Sequence, residues 1–159
     1  MRHTVLAVSM LALAACGPSE RSPEASTPSA PPMPTVDVAA MQARIADLPA
    51  PYNEASYESG RRVWAQCRSC HTLNQGGQHR IGPNLHGVFG REAGSAAGFT
   101  YSPAVREAAF TWDSAQLDHW LQNPGEFLPG NRMAFSGVRD ETQRRDLIAY
   151  LMVETAPAD

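Results

Sequence analysis

Cys67-Arg68-Ser69-Cys70-His71 is the stretch whose reading decides the fold. Two thiols three apart followed directly by an imidazole is the spacing that attaches haem covalently, each thiol adding across a vinyl group to give a thioether. On a helical turn the two cysteines share one side, and His71 then turns its ring toward the iron. One pentapeptide thus supplies both anchors and a proximal ligand.

Other uses of these residues fit less well. Zinc needs two more ligands of similar softness, and the only further cysteine, Cys16, lies far away in a different kind of sequence. A thioredoxin-like pair would close a buried strand in an alternating pattern of strands and helices, which the chain lacks, and it leaves His71 without a task.

Upstream of the motif, residues 1–15 read as a signal peptide. Met1-Arg2-His3 is a short basic start, and Val5 to Ala15 is an apolar run of eleven, too short to span a bilayer as a mature helix. The run closes in Leu13-Ala14-Ala15-Cys16, which resembles the lipobox of bacterial lipoproteins, where cleavage leaves a lipid-bearing cysteine. An ordinary cleavage site would instead leave Cys16 as an unpaired thiol in an oxidising compartment. The expectation is a bacterial periplasmic protein, lipid-anchored to a membrane through Cys16. From Cys16 to Pro51 the composition is dominated by Pro, Ser, Ala and Thr without one aromatic residue, so residues 16–51 read as a flexible tether. Pro28 to Pro34 favours polyproline II. Val36 to Leu48 can form a short amphipathic helix with Met41, Ile45 and Leu48 on one face, although a helix of that length is marginal in isolation.

Every one of the 13 basic residues is arginine, and the formal charge of −3 falls to −4 once Arg2 leaves with the signal peptide. Nucleic acid is disfavoured as a partner.

The folded domain is expected over residues 52–159, about 108 residues, which can wrap one prosthetic group but would have a thin core without it. Asn53 or Ser56 can cap a first helix from about Glu54 to Cys70, with Tyr57, Gly60, Trp64 and Cys67 on one face. Thr72 to Gly98 carries too many glycines for a strand and reads as a long loop. Ser102-Pro103 opens a short helix to about Ala109, Asp113 or Ser114 opens another that ends at Asn123-Pro124-Gly125, and a loop to Gly137 follows. The last helix, from Asp140 or Glu141 to Val153, carries Leu147, Ile148, Tyr150 and Leu151. Gly60 is the one gap in the first helix wide enough for Tyr150, so the two helices are expected to cross there.

A haem iron needs a sixth ligand unless its site is kept open for chemistry. Met133 sits in an irregular loop stiffened by Pro129-Gly130, whereas Met33 and Met41 lie in the tether, Met152 lies on the last helix, and His79 is too near the attachment turn. His71 and Met133 are therefore the expected iron ligands.

These segments together resemble a class I c-type cytochrome, of the mitochondrial and bacterial respiratory electron-carrier type, from about Ser59 to Leu151. The resemblance rests on Cys67 to Thr72, Gly82-Pro83-Asn84-Leu85-His86-Gly87, Phe89-Gly90-Arg91, Gly98-Phe99-Thr100-Tyr101, Pro129 to Phe135, and Asp146 to Leu151. It implies an all-α class I cytochrome c fold, three to five short helices and long loops around one covalently bound haem c. It also implies that the Pro83 carbonyl accepts the outer N–H of His71, and that Arg91, Tyr101 and Trp112 group around a haem propionate. Trp120 stands where the family commonly has a tyrosine hydroxyl reaching toward the methionine. Glu126 replaces part of a lysine pair beside the haem edge, leaving Arg68, Arg80, Arg132 and Arg139 as rim charges and weakening steering toward acidic partners.

The function implied is that of a membrane-tethered one-electron shuttle rather than an enzyme, working between membrane redox complexes such as a cytochrome bc complex and a terminal haem-copper oxidase. The alternatives are a fixed haem subunit of a larger redox complex and a peroxidase-like enzyme or gas sensor with an openable distal site. The Pro-Gly-x-x-Met loop argues against the latter pair.

Overall fold

The computed structural model describes residues 36–156. The expected signal peptide, the expected lipidation at Cys16 and the Pro-rich centre of the expected tether lie outside the described residues.

Among the described residues, six helices account for the regular structure: α1 (Val38–Ala46), α2 (Tyr57–Trp64), α3 (Pro103–Arg106), α4 (Ser114–Gln122), α5 (Pro124–Phe127) and α6 (Glu141–Thr155), with a 3₁₀ turn at Tyr52–Glu54. Each has the start signal its sequence announces. Asp37, Ser56, Ser102, Asp113, Asn123 and Asp140 are N-caps whose side chains accept from backbone N–H groups of the first turn, and Pro103 and Pro124 fill positions where no N–H is needed. The only strand-like feature among the described residues is an isolated antiparallel bridge between Glu92 and Thr111. The fold is all-α.

α2 and α6 cross at Gly60, as the sequence leads one to expect. A Cβ there would lie 2.6 Å from Tyr150 Cβ and would also collide with the Asp146 carbonyl oxygen. Tyr57 and Tyr150 pack with ring centroids 5.2 Å apart beside this crossing. Buried Asp146 ties it further by accepting from Ser56 N at 3.1 Å, so one carboxylate of α6 satisfies a backbone donor at the start of α2.

Two boundaries differ from expectation. Residues 36–51, expected to belong to the tether, pack as part of the folded body. Ile45 of α1 is fully buried in the common core. The Gln42 carboxamide donates to Ala55 O at 2.9 Å and accepts from Tyr57 N at 2.8 Å, acting as a second cap on α2. A helix too short to persist alone is stable here because its apolar face and its one polar staple are both used. Packing from α1 on one side and α4 on another also explains why α6 buries Ile148 and Ala149 along with Leu147, Tyr150 and Leu151.

The second difference is α2, which ends at Trp64 rather than continuing to Cys70. From there the chain mixes two kinds of turn: Ala65 N to Arg62 O, Gln66 N to Val63 O, Cys67 N to Trp64 O and Cys70 N to Cys67 O span three residues, while Arg68 N to Trp64 O and His71 N to Cys67 O span four. In either winding, side chains three apart lie on the same side, as the two thioether positions require. The loop expected after Asn123 also contains a turn of helix, α5, which Asn123 caps.

Candidate functional site

Cys67 and Cys70 are half-buried. Burial, with a smaller contribution from Cys70, pushes the Cys67 thiol up to about 11. Burial disfavours the thiolate at this position, whereas a thioether carries no charge to desolvate.

His71 follows directly, its N–H bonded to Cys67 O at 3.0 Å. Its Nδ1 lies 2.7 Å from the carbonyl oxygen of Pro83. A carbonyl can only accept, so Nδ1 carries the proton and Nε2 keeps a free lone pair. Burial lowers the His71 pKa below the ordinary histidine value against the opposing pull of the Pro83 bond, which keeps the ring neutral, as a metal ligand must be. Gly82 lets the ring sit there. Its N–H donates to Cys70 O at 2.9 Å, and a Cβ on it would lie 2.7 Å from His71 Nε2 and 2.8 Å from Nδ1.

The loop carrying Pro83 is knotted by Asn84, a buried residue that the sequence reading quoted without giving it a task. Its carboxamide donates to Thr72 Oγ1 at 2.8 Å and Asn74 O at 3.0 Å and accepts from His86 N at 3.1 Å. His79 was set aside as a ligand, and the structure shows what it does. Nδ1 accepts from Asn84 N at 3.0 Å, which leaves Nε2 to donate to Ala97 O at 2.8 Å. It stitches the Pro83 loop to the loop before Tyr101. No sequence signal marks this, since both of its partners are backbone atoms.

Arg91 and Trp112, expected together, are brought side by side by the antiparallel bridge: Trp112 N donates to Arg91 O at 2.8 Å and Gly90 N to Trp112 O at 2.8 Å. The Arg91 guanidinium donates to the carbonyls of His86 and Asn84, both at 3.2 Å. Burial lowers its pKa, while nearby Tyr101 acts in the opposite sense. The Tyr101 hydroxyl is raised mainly by burial and lowered by Arg91. A cation, a phenol and an indole are thus gathered on one side, a donor set that fits a carboxylate such as a propionate.

Met133 is half-buried against the core in the irregular loop between α5 and α6. Asn131 shapes the approach, its side chain donating at 2.8 Å to both Pro124 O and Leu128 O and accepting from Met133 N at 2.8 Å. Gly130 takes a φ of +86°, open to glycine without strain. Trp120 lies in a closed ring of aromatics, 5.5 Å from Trp112 and 6.0 Å from Phe127 between centroids.

An all-α domain in which a C-x-x-C-H turn holds a neutral, carbonyl-anchored imidazole, with a methionine on a separately braced loop, has the construction of a covalent haem carrier. The sequence model of the Cytochrome c family matches residues 57–153. The chain is 41% identical to cytochrome c of Kluyveromyces lactis over 106 residues, which is 66% of this chain and 96% of the relative. It is 50% identical to cytochrome c of Chlamydomonas reinhardtii over 98 residues, 61% of this chain and 88% of that protein. The chain belongs to the cytochrome c family. It carries one covalently attached haem c and works as an electron carrier, not as an enzyme.

Proposed function

We propose that this protein is a membrane-tethered shuttle that moves single electrons between respiratory complexes. In this reading Cys67 and Cys70 form the thioethers, His71 and Met133 are the axial ligands, Pro83 orients His71, and Arg91, Tyr101 and Trp112 hold a propionate. The bond between His71 Nδ1 and Pro83 O carries the reading, because it makes Nε2 the free ligand nitrogen and raises its basicity. The haem supplies the reversible one-electron couple. What the chain adds is a ligand pair on two rigidly tied loops and an apolar surround, so coordination changes little with oxidation state and transfer is fast. The thioether ligand and low polarity favour the reduced form and a positive potential.

The partners that suit such a domain are membrane redox complexes, such as a cytochrome bc complex as donor and a terminal haem-copper oxidase as acceptor. Cys16, with lipid attached after export to the periplasm, would hold the domain at the membrane. With α1 belonging to the folded body, the segment read as a tether would run from Cys16 to Thr35. A chain of that length spans on the order of 25 Å as a coil and roughly 60 Å when extended as polyproline II. Confinement within that radius raises effective concentration and makes long-range electrostatic steering less necessary, in keeping with a rim without lysine.

Two measurements test the reading. Met133→Ala should abolish the weak far-red sulfur-to-iron absorption band of the oxidised protein with the haem still attached, and a surviving band would remove Met133 as ligand. Cys16→Ser with an intact export signal should release the protein from membranes without detergent. Retention in the membrane pellet would overturn the lipid anchor.

A further inference from the structure

The loop that bears Met133 is braced differently on its two limbs. Upstream, Asn131 belongs to the loop and ties it internally. Downstream, after Phe135 N donates to Met133 O at 2.9 Å, the chain is held mainly through its backbone. Val138 N donates to Leu121 O of α4 at 2.7 Å. Gly137, at a φ of +94°, lies so close to α4 that a Cβ would stand 2.7 Å from the Gln122 carbonyl carbon. The remaining fastening comes from Arg144 of α6, whose Nη1 donates to Val138 O at 3.1 Å and Arg139 O at 2.9 Å.

Arg144 is only 5% exposed, and its other edge is occupied by Asp118 of α4, with Nε to Oδ1 at 2.8 Å and Nη2 to Oδ2 at 3.3 Å. A planar guanidinium offers its donors as a fixed fork. When one edge is matched to a carboxylate, the direction of the other is set. Without that carboxylate a buried cation would be left uncompensated and free to reorient. Only four residues separate Met133 from Val138, so slack at the fastening is transmitted to the sulfur rather than absorbed along the way.

We propose that Asp118 and Arg144 are positioning residues for the Met133 ligand: the α4 carboxylate aims the guanidinium, and the guanidinium fixes where the downstream limb leaves the core, which sets how readily the methionine sulfur leaves the iron. This rests on the reading of Met133 as axial ligand. Asp118 and Arg144 are 26 positions apart and neither lies in the loop, so no local pattern announces them.

The test is imidazole titration of the oxidised holoprotein, with the shift of the Soret band as the signal in every variant, loss of the far-red band beside it wherever Met133 is present, and far-ultraviolet circular dichroism as a check on helix content. Imidazole competes for the position that the methionine vacates, so its apparent affinity reports how often Met133 is off the iron. Asp118→Asn keeps size and shape and should bind imidazole about tenfold more tightly than wild type, the scale of one weakened charge-assisted hydrogen bond, with unchanged helix content. Arg144→Lys, which loses the fork, should act in the same direction. Glu58→Gln, breaking the exposed Glu58–Arg61 pair, should change nothing. In a Met133→Ala background, Asp118→Asn should have no effect, because there is no sulfur left to position. Affinity in Asp118→Asn within twofold of wild type would overturn the proposal, as would an equal increase in the Met133→Ala background. A far-red band that persists in Met133→Ala would instead show that the ligand assignment beneath the proposal has failed.

Discussion

Gly60→Ala is the sharpest single probe of how this domain is held together. Judged by helix propensity alone the change should stabilise, since alanine is favoured over glycine in a helix interior by about 1 kcal/mol. The crossing reverses the sign. An added Cβ would lie 2.6 Å from Tyr150 Cβ and 2.9 Å from the Asp146 carbonyl carbon, and it would overlap the Asp146 oxygen outright. Ordinary carbon contacts lie at about 3.5–4.0 Å, so α2 and α6 must part by roughly 1 Å over several residues. The obstacle is mostly backbone and a Cβ, not the tip of a flexible side chain. Overpacking of this kind costs about 1–3 kcal/mol, and the loosened Tyr57–Tyr150 contact and the Asp146 bond to Ser56 N add to it. After the propensity gain is offset, a net loss of about 2 kcal/mol is expected, or roughly 6 °C in melting temperature for a domain of this size. The assay is guanidinium and thermal unfolding of the oxidised holoprotein followed by circular dichroism, with the far-red band as a check that the haem site of the native state is intact. A Gly60→Ala protein as stable as wild type, or more so, would refute the account of the crossing.

Replacing both Cys67 and Cys70 by alanine should yield protein from which acid extraction under denaturing conditions removes all haem; retained haem would mean that the pentapeptide does not carry the attachment. Alkali should destabilise the domain through its buried phenols. Burial, with Glu154 acting in the same sense and Arg61 against it, pushes Tyr150 up to about 12. The unfolded chain ionises near the usual value of about 10. The folded state therefore holds this proton more tightly, its contribution is complete below pH 10 and it is lost as pH rises toward 12. Tyr150→Phe should flatten that alkaline fall in stability, measured by denaturant titration at stepped pH, and an unchanged slope would remove Tyr150 as its source.

Much of the site was legible because its signals are local. The spacing of Cys67, Cys70 and His71 encodes chemistry by itself, and glycines and prolines such as Gly82-Pro83 and Pro129-Gly130 mark turns whatever surrounds them. The pairing of Gly60 with Tyr150 could be foreseen across 90 positions because a gap on one helix and a ring on another are each visible in a helical pattern. The helix over Met41, Ile45 and Leu48 was visible too, but its place in the core was not. Its stability depends on Ile45 finding α2 and α6 and on Gln42 finding Ala55 and Tyr57.

The sequence alone thus determined the class of protein, the cofactor and most of the helix starts, since each is written in spacings of a few residues. Tertiary structure alone decided that residues 36–51 pack with the folded body, that α2 gives way to a mixed turn after Trp64, and which groups steady two of the loops: Asn84 and His79 for the Pro83 loop, Asn131, Asp118 and Arg144 for the Met133 loop. Most of these groups act on backbone carbonyls and amides, which every residue possesses. A side chain that bonds to backbone leaves no complementary residue in the sequence to reveal its partner, and only the folded chain brings the two within reach.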